Sequence, residues 1–557
     1  MAGGSVLWFR HGLRLHDNPA LLYALQDRTK PFYPIFIFDG ETAGTNLVGY
    51  NRMRFLLESL NDLDSQLKQV GGRLLLFRGK PDILIRKLWE EFGISQLAFE
   101  QDCEPVWLPR DNSVKALCRD IGIHCTEHVS HTLWNPASVI EANGGIPPLT
   151  YQMFLHTVET IGLPPRPVED IDFSNVKFGK IPQSLREIFK MFDSTPKPED
   201  FDIYPETSPG EIPMIRWKGG ETTALLMLNS RLQVEKEAFI KGSCLPTHSS
   251  PDLLGPPVSL SPALRFGCLS VRRFYWCVHD IFTQVHGGYL TSTPHITGYF
   301  VCLYTQSNMT TFYFYFYTMS VNNANFGQMW NNPICLNIPW SEPAWVAGKT
   351  GFPFIDAAMR QLQIEGWLHH SARNAVASFL TRGALWLSWE HGLKHFLKYL
   401  LDADWSVCAG NWMWMSSSAF EKLLDSSACA CPVQLGRRLD PSGEYVCRYV
   451  PELRNMPVKY IYEPWKAPID VQEKASCVIG RDYPNRIVDH EAAMQKNGAC
   501  SIYKLWRYEI CIKNLLQVNM RNYLQNSPPH CCPSSDEEIR QFMWLPLVGT
   551  LVGALLY

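Results

Sequence analysis

Hydrophobic periodicity changes once along this chain, and the change calls for two different architectures. From residue 5 to about 130, short apolar runs alternate with amphipathic segments. Val6–Phe9, Pro34–Phe38, Arg73–Phe77 and Leu97–Glu100 read as strands, with helices over Met53–Val70 and Asp82–Phe92 between them. Such alternation predicts a doubly wound parallel sheet covered by helices on both faces. After about residue 214 the period becomes helical, over Thr223–Lys241, Val271–Gln284, Pro353–Gln363, Arg373–Trp386 and Leu393–Leu401. The expected order is an α/β domain (1–132), an interdomain linker rich in Pro and acidic residues (133–213) and a large all-α domain (214–497). An insertion with a terminal helix (498–526) and a C-terminal tail (527–557) follow. A chain of 557 residues has ample core for this plan.

Composition removes several functions. Apolar residues make up 46% and charged ones 19%, as in a globular protein rather than a disordered one. A net charge of −3 shows no strongly basic nucleic-acid surface. The apolar end Leu545–Tyr557 is too short to span a bilayer, so no membrane role is expected. The 17 cysteines form no framework and read as reduced thiols of an intracellular protein. Cys429/Cys431 and Cys531/Cys532 lack the spacing of a zinc site. No Gly-x-Gly-x-x-Gly follows the first strand, so nothing there marks a dinucleotide site.

Eight tryptophans stand between Trp340 and Trp414. Core packing is their ordinary use. The alternative is an electron path through indole rings, with Trp386 and Trp389, three apart, on one helix face.

The text around them decides. Asp402-Ala-Asp-Trp-Ser-Val-Cys-Ala-Gly-Asn-Trp412, Gly366-Trp-Leu-His-His-Ser-Ala-Arg-Asn374 and the stretch Thr350–Leu362 resemble the flavin domain of the photolyase/cryptochrome family. Leu7–Pro19 and Trp217-Lys-Gly-Gly-Glu-Thr222 resemble its other signatures, so matches run from residue 6 to about 490. Cys408 and the acidic, aromatic-containing tail are similar to the insect-type, light-sensing animal branch.

The resemblance implies one FAD. Arg231, Ser259, Leu260 and Ser261 match its cofactor contacts, where hydroxyls at a helix start suit phosphate oxygens. His370, Arg373, Asp402, Asp404, Cys408 and Asn411 match the residues around the ring. Arg373 and Asp402 would be a buried ion pair, and Asp404 would accept from the imide edge of the ring. Cys408 replaces a proton-delivering side chain with a thiol that resists giving up its proton, so the reduced ring is expected to stay anionic. Trp412, Trp389 and Trp340 would relay electrons in that order, with Trp386 as a fourth ring. Phe542 and Trp544 would dock in the groove that a photolyase uses for a flipped-out base. No residue demands an antenna pigment.

One departure is marked. Tyr299–Phe314 replaces the family's Gln- and Trp-Arg-Glu-bearing helix with Phe/Tyr-rich text, and Gly498–Val518 is a second such segment. Both read as gene-model errors or variant-isoform sequence, and the first removes an expected flavin contact. The resulting expectation is a non-enzymatic blue-light receptor of the circadian clock in cytoplasm and nucleus. A timeless-like clock protein, a ubiquitin ligase and a period-type clock protein would be its partners. The competing readings are a DNA photolyase, opposed by Cys408 and the tail, and a light-independent transcriptional repressor, opposed by the shortness of the tail.

Overall fold

The computed structural model describes residues 3–40, 48–102, 104, 107–145, 147–148, 151–206, 217–241, 253–254, 259–285, 342–416 and 431–495. Six strands form one sheet: β1 (Ser5–Phe9), β2 (Phe32–Phe38), β3 (Leu75–Arg78), β4 (Gln96–Glu100), β5 (His124–His128) and β6 (Met191–Phe192). Their order is β5-β4-β1-β2-β3-β6, all parallel except β6, which runs antiparallel to β3. Alternate residues explain why the strands are apolar throughout. Val6, Trp8, Ile35 and Ile37 enter one core, and Leu7, Phe9, Phe36 and Phe38 enter another on the opposite face.

β5 escapes a hydrophobicity scan because His124-Cys-Thr-Glu-His128 lies at the edge and is only partly buried. The stretch 133–213 is more than a connection. It carries helices Pro136–Ala142 and Tyr151–Ile161 as well as β6. Leu133, Trp134, Phe154 and Val158 build a small core with Val271, Tyr275 and Trp276.

The helical part contains Glu221–Lys241, Val271–Val285, Pro353–Glu365, His370–Ser378, Trp389–Tyr399 and Trp405–Met415, among others. One expected helix, Arg373–Trp386, is corrected. The α-helix stops at Ser378, and a wide turn follows in which Thr381 leaves helical geometry. Trp386 then sits at φ +57, and the Ser388 hydroxyl caps the next helix by accepting from the Glu390 amide. Trp386 and Trp389 therefore do not share a helix face.

The two parts meet along the second core, where Trp217, Leu260, Phe266 and Leu401 pack beneath the Leu7/Phe9 face. The segments Leu7–Pro19 and Trp217–Thr222 lock this contact, because the Glu221 carboxylate accepts the amides of Leu15 at 2.7 Å and His16 at 3.0 Å. Among the described residues, no helix is long and apolar enough to cross a membrane, and no cluster could hold a metal ion.

Candidate cofactor site

A five-residue connection, Leu400 to Asp404, lies between helices Trp389–Tyr399 and Trp405–Met415 and carries the centre of the site. Leu400 is buried in the helical core and the next residue, Leu401, in the core beneath the sheet. The connection is thus pinned at the seam between the two parts, and Asp402 and Asp404 project from it.

Asp402 Oδ2 accepts from Arg373 Nη2 at 2.7 Å and from Ser261 Oγ at 2.6 Å. Ser261 has one hydroxyl proton and gives it to the carboxylate, so Ser259 Oγ, 2.8 Å away, must donate to Ser261. Trp367 Nε1 donates to the same Ser261 oxygen at 3.4 Å. Arg373 also binds the Leu368 carbonyl at 2.8 Å and lies 5.7 Å over the Trp367 ring. Four expected residues, Ser259, Ser261, Arg373 and Asp402, therefore meet in one hydrogen-bonded cluster, which Trp367 joins through Ser261. Leu260 is the buried cap residue of the short helix Ser261–Arg265.

Asp404 is buried and takes the Val407 amide at 3.0 Å. Burial alone would raise its carboxyl. The His131 hydrogen bond and the Arg265 guanidinium outweigh that and hold it well below the usual range. Cys408, one turn further along, is buried. That burial pushes its thiol up to about 12, with the charges of Asp402 and Asp404 adding to the effect. At neutral pH it keeps its proton.

Other residues stand apart from this cluster. Arg231 ion-pairs with Glu235 at 2.5 Å on its own helix. His370 is exposed at the start of its helix, its ring 4.2 Å from that of His369. Asn411 is exposed and donates to the Val407 carbonyl at 2.9 Å.

Trp412 is 2% exposed and boxed in by rings: Phe396 edge-on at 5.0 Å and Trp345 edge-on at 6.3 Å between centroids. Gly392 lies against it so closely that a Cβ there would come 2.1 Å from the indole. Trp389 is three residues before Gly392 and seven before Phe396, so it occupies the helix face that meets Trp412. Trp386 is 5% exposed on the preceding turn. Trp340, Phe542, Trp544, Tyr299–Phe314 and Gly498–Val518 lie outside the described residues.

Sequence reasoning gave no role to Trp345 or His131. The first was visible only as one more tryptophan, and the second stands in a segment with no motif.

The donor set fits a flavin dinucleotide. Asp402 Oδ1 is buried with no protein donor among the described residues, as befits a carboxylate that also receives a ligand's hydrogen bond. Fold and site define a flavoprotein with an α/β domain ahead of a helical one. The model of DNA photolyase matches residues 5–170, and that of the FAD binding domain of DNA photolyase matches 308–501. The chain is 55% identical to Cryptochrome-1 of Aedes aegypti, over 98% of this chain and 99% of that protein. It is 53% identical to Cryptochrome-1 of Drosophila melanogaster, over 98% of each. A bacterial class III photolyase from Agrobacterium tumefaciens matches in structure with a TM-score of 0.70 at 26% identity, covering 91% of this chain and 98% of that one. The chain belongs to the photolyase/cryptochrome family and carries its FAD-binding domain. Within that family it is an insect Cryptochrome-1-like protein.

Proposed function

We propose that this chain is a blue-light photoreceptor of the circadian clock, not a repair enzyme. Bound FAD supplies blue-light absorption and a one-electron acceptor. Trp412 is the donor residue, and its electron is replaced outward through Trp389 and Trp340, with Trp386 as a further ring. The box of Phe396, Trp345 and Gly392 fixes the indole and excludes water from it.

The observation that carries the reading is the Cys408 thiol. It is buried, faces two carboxylates and is pushed up to about 12, so it cannot deliver a proton near neutral pH. Negative charge arriving in the pocket is then balanced by Arg373 rather than neutralised. In a low-dielectric site, unneutralised charge biases whatever packs nearby. Phe542 and Trp544 are the tail residues proposed to leave in response, opening a surface for a timeless-like clock protein and a ubiquitin ligase, and for a period-type protein. These partners, and residence in cytoplasm and nucleus, are part of the proposal, supported by the similarity to insect Cryptochrome-1.

Illumination of purified protein with and without lesion-bearing DNA tests the reading. Bleaching of the flavin bands that is indifferent to the DNA, with lesions left intact, is the expected result. Lesion repair would overturn it in favour of a photolyase.

A further inference from the structure

Three groups of the α/β domain, Arg52, Glu104 and His131, reach across to the Leu400–Asp404 connection and the first amide of the helix after it. Arg52, on the helix Tyr50–Gln69, donates to the carbonyls of Leu400 at 2.8 Å and Ala403 at 3.2 Å. Glu104, beyond β4, accepts the Trp405 amide at 3.4 Å and also holds Arg265 Nη2 at 2.6 Å. Arg265 Nε in turn donates to the Ala403 carbonyl at 2.6 Å. The third contact from the α/β domain is to a side chain: His131 Nε2, beyond β5, lies 3.5 Å from Asp404 Oδ2.

These groups converge on one place in the topology. β1 and β4 are neighbours, yet the chain leaves them toward opposite sides of the sheet, making the crevice where open α/β sheets accept ligands. Here that crevice is filled by protein. Arg10 pairs with Asp111 at 2.8 Å, and His11 Nε2 lies 2.6 Å from Asp102. Arg265 can only donate, so at 3.2 Å it fixes His11 Nδ1 as the acceptor and places the ring proton on Nε2. The His11 ring packs 5.2 Å from that of His131. His131 is therefore backed by a fixed neighbour and aimed at Asp404.

We propose that His131 is a positioning residue of the cofactor site, by which the α/β domain sets the orientation of the Asp404 carboxylate. This rests on the reading of Asp404 as an acceptor at the flavin ring. The groups facing the imidazole are Asp404, Glu100, Arg265 and His11. Burial disfavours its charged form, but the hydrogen bond and charge of Asp404, with Glu100 behind, outweigh burial and raise it above the ordinary histidine value. A raised histidine contributes fully below its ordinary value and is lost as pH rises through the raised one. The flavin prefers the clamped carboxylate, so its binding is linked to the proton on His131.

The test titrates full-length protein with FAD by fluorescence quenching across pH 6 to 9, beside ¹⁵N-histidine NMR of the flavin-free protein. In the parent, affinity is expected to fall about tenfold from the acid to the alkaline limit, matching the loss of one charge-assisted contact. His131→Asn keeps a donor without the titration and should bind with a flat pH profile. Asp404→Asn should move the His131 resonance to titrate at lower pH, a readout that needs neither flavin nor a folded His131 variant. A His131→Asn profile that still falls like the parent's, or a His131 resonance indifferent to Asp404→Asn, overturns the proposal. A parent that binds no FAD at any pH would instead refute the flavin reading on which it rests.

Discussion

Replacing Gly392 with Ala is the sharpest test of the Trp412 enclosure. On an unconstrained helix surface the change stabilises, since Ala is favoured over Gly by about 1 kcal/mol. Here the new Cβ would stand 2.1 Å from one indole carbon and 2.5 Å from two more. That is more than 1 Å inside ordinary carbon contact of about 3.5 Å. The indole cannot simply retreat, because Phe396 and Trp345 pack edge-on against it and it is 2% exposed. Relief must come from displacing the helix Trp389–Tyr399 or rotating Trp412. Overpacking of this kind costs about 1–3 kcal/mol, and this overlap belongs at the upper end. After the helix gain, a net loss of about 2 kcal/mol is expected in urea unfolding of the flavin-free protein. Photoreduction of the loaded protein should slow in the same variant, because the displaced helix carries Trp389. A variant as stable as the parent, with unchanged tryptophan fluorescence, would refute the packing argument.

Trp412→Phe should abolish fast photoreduction, and bleaching as quick as the parent's would remove Trp412 from the donor role. Cys408→Asp should make the reduced flavin's absorption bands pH-dependent, whereas the parent's should stay constant from pH 6 to 9 because its thiol is held up to about 12. His395 is buried between Trp345 and Tyr399, and burial, with Lys398 adding, lowers it to about 4. The unfolded chain therefore binds the proton first as pH falls, so stability should drop by about 3 kcal/mol between pH 6.5 and 4. His395→Phe should flatten that limb in acid-dependent urea melts. Deleting residues after Asp536 should allow the proposed timeless-like partner to bind in darkness; a truncated protein that still needs light in a pull-down would move the switch elsewhere.

The α/β domain was legible because its strands are apolar on both faces, which only a sheet covered on both sides requires. β5 was not, since an edge strand needs no such run and His124–His128 has none. The break after Ser378 was hidden for another reason. Arg373 to Trp386 keeps helical spacing, but Gly383 and the cap at Ser388 let tertiary packing turn the chain and set Trp386 at positive φ. Propensity is a weak prior, and packing prevailed over it here.

At the site, the residue types were readable and their dependence on distant segments was not. The cluster of Ser261, Arg373 and Asp402 follows from motifs that a resemblance can align. What holds the connection that carries Asp402 and Asp404 includes Arg52, Glu104 and His131, which lie from 273 to 351 residues before the groups they bind and share no pattern with them. Sequence spacing cannot express such contacts, because the fold sets them by packing the connection between two cores. That packing also says why the α/β domain bears on the site. Leu401 is buried in the sheet-side core and Leu400 in the helical one. A shift of either core would thus move the two carboxylates beside which Cys408 keeps its proton, so cofactor chemistry and domain packing are properties of the same five residues.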